Sequence, residues 1–86
     1  MTNIKHNKAV ENTRDLQNLV TGTILQMHKD FTQDRIEKTV NRYLKGSKFH
    51  NDLSLIKEYV TNTLDVFQNC DVVRSCNGIY SKRMLP

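Results

Sequence analysis

Residues 52–83 read DLSLIKEYVTNTLDVFQNCDVVRSCNGIYSKR, and a change of period inside this stretch decides the fold. Its first half predicts a helix. Ile56, Val60, Thr63, Leu64 and Phe67 recur at helical spacing, and Leu55, Tyr59 and Val66 widen the apolar arc. A helix apolar on more than one side packs between other elements. Asp52 is placed to cap its start, because a carboxylate there accepts from amide N–H groups one turn on. Asn69 is placed to stop it, since Asn tolerates the left-handed conformation. Beyond Asn69, two β-prone runs, Val72-Val73-Arg74-Ser75-Cys76 and Ile79-Tyr80-Ser81-Lys82, flank Asn77-Gly78. Asn-Gly between such runs predicts a hairpin, because a type I′ turn needs positive φ at both central residues.

With Asn77-Gly78 as the loop, Cys76 faces Ile79 and Val73 faces Lys82. Val73, Ser75, Tyr80 and Lys82 then share one face of the ribbon, and Val72, Arg74, Cys76, Ile79 and Ser81 the other. An isolated hairpin is marginal in water, so one face must lean on helices.

Working outward, residues 32–45 predict a second helix. Thr32 is its N-cap, with Phe31 before it able to pack on Ile36. Ile36, Val40, Tyr43 and Leu44 are expected to face the core, and Gly46 to supply the stop. Arg35, Lys38, Arg42 and Lys45 fall within one arc of less than a quarter turn, with Asp34 and Glu37 nearby. In the connection at residues 46–51, Phe49 is expected to return to the core and His50 to be exposed. Residues 9–29 predict a first helix, its core stripe Leu16, Leu19, Val20, Ile24 and Met27, extended upstream by Val10 and Thr13. Gly22 interrupts that helix at a cost of about 1 kcal/mol relative to Ala, unless it serves a close helix crossing. His28 is a candidate C-terminal cap. Residues 1–8, with Lys5, His6 and Lys8, form an expected flexible basic arm, either a frayed end or an arm reaching a phosphate or minor groove. Residues 9–86 form one domain.

Three helices followed by a C-terminal hairpin resemble the winged helix-turn-helix superfamily, in element order and over nearly the whole chain. The resemblance implies an α+β fold: a three-helix winged-helix domain with a C-terminal β-hairpin, and a short strand near Phe31 pairing with the wing. It also implies that the third helix enters a DNA major groove while the wing touches the backbone or minor groove. Carried onto this sequence, the candidates are Ser54, Lys57, Thr61 and Asn62 on the third helix, and Arg74, Asn77, Lys82 and Arg83 on the wing.

Composition bounds the rest. Eighty-six residues, 37% hydrophobic and without Trp, make one small core. No apolar run is long enough to span a bilayer and no signal-peptide pattern opens the chain, so a cytoplasmic protein is expected. In that compartment Cys70 and Cys76 are expected to stay reduced. The histidines His6, His28 and His50 share no paired spacing, and a metal site from His50, Cys70 and Cys76 would need the fold to gather them. No phosphate loop or nucleophile elbow occurs. Neither a cofactor nor catalysis is expected.

The net charge of +4 suits a nucleic acid or another acidic partner. The first expectation is therefore a DNA-binding winged-helix protein, a small basic transcriptional regulator and a candidate homodimer through the first helix. Arg35, Lys38, Arg42 and Lys45 would contact phosphates, Thr61 and Asn62 base edges, and Lys57, Arg74, Lys82 and Arg83 would assist at helix and wing. Against it, the third helix sets Lys57 among Asp52, Glu58 and Asp65, and carboxylates repel phosphates. The alternatives are a protein-interaction module, such as an adaptor or an inhibitor encoded by a mobile element, and, for the stripe on the second helix, a solvated face.

Overall fold

The structure, a computed structural model, describes residues 10–83; the expected arm at residues 1–8 lies outside them. The elements run α1 (Thr13–Leu25), β1 (Phe31–Thr32), α2 (Gln33–Tyr43), α3 (Leu53–Asn69), β2 (Val73–Cys76) and β3 (Ile79–Lys82). The three strands form one antiparallel sheet in the order β1-β3-β2. This is an α+β arrangement with a winged-helix layout. Among the described residues no helix is long and apolar enough to cross a membrane.

Each boundary has a local cause. Asn12 caps α1 by accepting from the Asp15 amide at 2.9 Å, which starts the helix four residues later than its apolar periodicity suggests. Val10 packs on the core from before that cap, whereas Thr13 is exposed. Thr32 caps α2 by accepting from the Arg35 amide, and Asp52 caps α3 by accepting from the Leu55 amide. Gly46, at φ 91°, turns the chain past α2, two residues beyond the cap Leu44. The end of α3 differs from expectation. Asn69 is its last helical residue, and the left-handed position falls two residues on, at Asp71 (φ 64°). The Val72 amide donates to the Phe67 carbonyl at 2.7 Å and the Asp71 amide to Gln68 at 3.1 Å, which satisfies two otherwise orphaned carbonyls.

The hairpin has the register that Asn77-Gly78 imposes: Cys76 opposite Ile79, Val73 opposite Lys82. Asn77 (φ 54°) and Gly78 (φ 83°) both lie in the left-handed region that the turn requires. Val73 is buried and Tyr80 packs on the core, so their face of the ribbon leans on the helices. Tyr80 stacks on Phe31, ring centroids 5.7 Å apart, and thereby ties the hairpin to β1.

The core joins Leu16, Val20 and Ile24 of α1 to Ile36, Val40 and Leu44 on α2 and at its end, and to Ile56, Val60 and Leu64 of α3; Phe31, Phe49 and Val73 close it. Burying each such side chain contributes about 1.5–3 kcal/mol. The two buried threonines, Thr23 and Thr63, donate to the carbonyls of Leu19 and Tyr59, each at 2.7 Å, so neither hydroxyl is left unpaired.

Other residues depart from expectation as well. Tyr43, expected in the core, is 55% exposed, because Ile36, Val40 and Leu44 already fill α2's buried face. Val66, expected to widen the arc of α3, is also 55% exposed. His50 is half-buried rather than exposed. Gly22 serves no close crossing within the chain: a Cβ there would meet nothing within 4 Å.

Candidate nucleic-acid interface

Three surfaces meet at the first turn of α2. The cap residue Thr32 pairs with Ile79, directly after the hairpin tip, so α2 begins beside the wing. The next residue, Gln33, donates through Nε2 to Thr61 Oγ1 on α3 at 2.8 Å and to Glu37 Oε2 at 2.9 Å. The start of α2, the middle of α3 and the wing tip are therefore neighbours. Thr61 acts as acceptor in this bond, so its hydroxyl proton remains able to donate outward.

The other end of the α2–α3 pair is fixed by Asn41 and Asn51, which exchange two hydrogen bonds. The row Gln33, Glu37, Asn41 thus faces α3, and Ile36 and Val40 face the core. Arg35, Lys38 and Arg42 lie roughly opposite the core on the same helix; Lys45, expected in the helix, follows its cap Leu44 in the turn, and all four are exposed. Lys38 pairs with Asp34 at 3.1 Å. Arg35, Arg42 and Lys45 have no carboxylate partner among the described residues. Arg35 also lines an open cleft of about 570 Å³ with His28, Lys29 and Asp30 of the α1–β1 connection, where Lys29 is offset by Asp30.

On α3, Ser54, Lys57, Thr61 and Asn62 are exposed, as are Glu58 and Asp65. The exposed face of this helix is therefore polar and slightly acidic. Val66 borders this face, whereas Leu53, 63% exposed in the first turn, continues the row of Ile56, Val60 and Leu64.

The wing cations are not equivalent. Asp71 pairs with Arg83 and lies 3.8 Å from Arg74, so one carboxylate faces two guanidinium groups. Lys82 is half-buried, and its Nζ donates to the Leu25 carbonyl at the end of α1. It occupies the place expected of His28, which is exposed, and complements the negative end of a helix whose last turn has no cation of its own. Asn77 is exposed at the tip. Ser75 Oγ donates to Gln68 Oε1 at 2.9 Å and braces the wing against α3.

Sequence reasoning missed Gln33, Asp71 and Asn41. The Gln33–Thr61 bond spans 28 residues and the Arg83–Asp71 pair 12, and neither belongs to a motif. Both free cysteines are exposed, and among the described residues no group of three or more His, Cys, Asp or Glu could hold a metal ion. No family model, no curated protein and no solved structure matches this chain.

Proposed function

We propose that the chain binds double-stranded DNA as a small transcriptional regulator. The observation that carries the reading is the junction at α2's first turn, where Gln33 joins Thr61 of α3 and Thr32 joins the wing beside its tip. A duplex whose groove receives the polar face of α3 would meet the wing on one flank and the cations of α2 on the other. In this reading Arg35, Arg42 and Lys45 neutralise phosphates, and Lys38 does so after parting from Asp34. Lys57 sits one helical turn before Thr61, at the groove edge. Asn62 and Thr61 read base edges, with Asn62 suited to adenine. Arg74 and Arg83 reach the backbone from the base of the wing, and Lys82 holds the wing to α1.

Selection from a pool of random duplexes tests this. The intact chain should enrich a defined sequence, and Asn62→Ala should relax preference at one position of it. Enrichment of nothing above the starting pool would count against the reading.

A second reading is favoured by one observation: Glu58 and Asp65 share α3's exposed face, and the exposed Val66 borders it. Such a face suits a protein partner with a basic rim better than phosphates. Under that reading the domain is a non-catalytic interaction module. It would have no duplex affinity at physiological salt, and would retain a stoichiometric protein from nuclease-treated extract.

A further inference from the structure

Two threonines of α3 accept a hydrogen bond from a glutamine, and they differ in what their own protons do. Thr63 accepts from Gln17 Nε2 at 2.7 Å and donates to the Tyr59 carbonyl at 2.7 Å. Donor and acceptor are both spent inside the fold, and the residue is buried. Thr61, two residues earlier, accepts from Gln33 Nε2 at 2.8 Å. Its proton has no acceptor among the described residues, and the side chain is exposed. The direction of the Gln33–Thr61 bond is fixed from behind. The same Gln33 Nε2 donates to Glu37 Oε2 at 2.9 Å. An ionised carboxylate only accepts, so the Gln33 atom touching it is the amide nitrogen and not the amide oxygen. That nitrogen only donates, so Thr61 Oγ1 accepts from it. Without Glu37 the Gln33 amide could turn over and take the Thr61 proton on its oxygen. Gln33 and Glu37 are both half-buried, in the row of α2 that faces α3.

We infer that Glu37 and Gln33 are positioning residues that make Thr61 a one-way donor, so that the base edge it reads is an acceptor. The inference rests on the reading of α3 as the helix that enters a duplex groove. In the major groove guanine offers acceptors at O6 and N7, adenine at N7 and thymine at O4, whereas cytosine offers only the N4 amino donor. Two donors facing each other leave both protons unpaired in a desolvated contact. Thr61 therefore rejects cytosine at the base it touches, by about two- to tenfold against a base with an acceptor, the worth of one neutral hydrogen bond. Thr61 carries no charge, so this choice is independent of the phosphate contacts.

Selection from random duplexes with the native chain and three variants, each folded by circular dichroism, is the test. The native chain should enrich a site with one position from which cytosine is depleted on one strand. Thr61→Val keeps the shape and loses the hydroxyl, and should lose that discrimination; Thr61→Ser should keep it. In Gln33→Glu a carboxylate faces Thr61, draws its proton inward and leaves lone pairs outward. The same position should then relax or turn towards cytosine, with preferences elsewhere in the site unchanged. A Gln33 that served only to hold α2 against α3 would weaken binding to all sequences alike and shift no single position. A native chain that enriches no sequence overturns the DNA-binding reading and this inference with it. A defined site overturns this inference alone in any of three cases: Thr61→Val alters no position of it, the Thr61-dependent position favours cytosine, or Gln33→Glu leaves that position as it was.

Discussion

Asn41 and Asn51 hold each other across the turn between α2 and α3: Asn41 Nδ2 donates to Asn51 Oδ1 at 3.0 Å, and the Asn51 amide donates to Asn41 Oδ1 at 2.7 Å. Asn51 does so at φ 66°, a conformation that Asn accepts and most side chains do not. The clasp fixes the angle at which α3 leaves the turn, and with it the face that α3 presents. Asn41→Ala removes both bonds and should cost about 1–3 kcal/mol, read as a lower urea midpoint. Asn51→Ala loses one bond and adds left-handed strain, and Asn51→Gly loses the same bond without that strain, so the Gly variant should be the milder of the two. Equal losses for the Ala and Gly variants at position 51 would show that the strain is not felt there.

Asp71 is the acidic partner of both Arg74 and Arg83 at the base of the wing. Freed of it, the guanidinium groups would be available to phosphate oxygens. Asn keeps the left-handed backbone of this position without the charge. Asp71→Asn should therefore tighten duplex binding and steepen its salt dependence. Weaker binding in that variant would mean instead that Asp71 aims the two arginines.

Lys82 and Arg83 are adjacent in sequence and differ in role. Lys82→Ala removes the donor at the end of α1 and should cost about 0.5–1.5 kcal/mol of stability, with the salt slope of duplex binding unchanged. Arg83→Ala should do the reverse, lowering the slope by about 1. Thermal unfolding beside salt-titrated binding separates the two; a slope change in Lys82→Ala would contradict the assignment.

Gly22 occupies a mid-helix position where a Cβ meets nothing. Gly22→Ala should stabilise the chain by about 0.8–1 kcal/mol through helix propensity alone. For a domain of this size that corresponds to a rise in Tm of about 4–8 °C per kcal/mol. A fall in Tm would reveal a neighbour that the structure lacks.

Much of this architecture was legible in the residues. Asn77-Gly78 dictates its turn because few other pairs take positive φ twice, and one turn then fixes the whole hairpin register. Thr32 and Asp52 act through neighbours three residues away, so a short window reveals them. Phe49 was legible as a core residue because a lone aromatic in a polar connection has few other uses. Tyr43 and Val66 were not, since apolar spacing cannot tell which flank of an arc a neighbouring helix covers. The left-handed residue after α3 is not legible in the sequence, because Asn and Asp both tolerate that conformation; the hydrogen bonds of Val72 and Asp71 decide between them. The pairing of Lys82 with Leu25 spans 57 residues, and only the folded chain brings them together.

The central claim is that the cations of α2 neutralise DNA phosphates beside the groove that α3 enters. The most direct measurement is duplex affinity against salt concentration for the native chain and for Arg35→Ala with Arg42→Ala. The account predicts a linear fall of log K with log salt in the native chain and a slope smaller by about 2 in the variant, with stability unchanged. Identical slopes, or no duplex binding by the native chain at low salt, would contradict it.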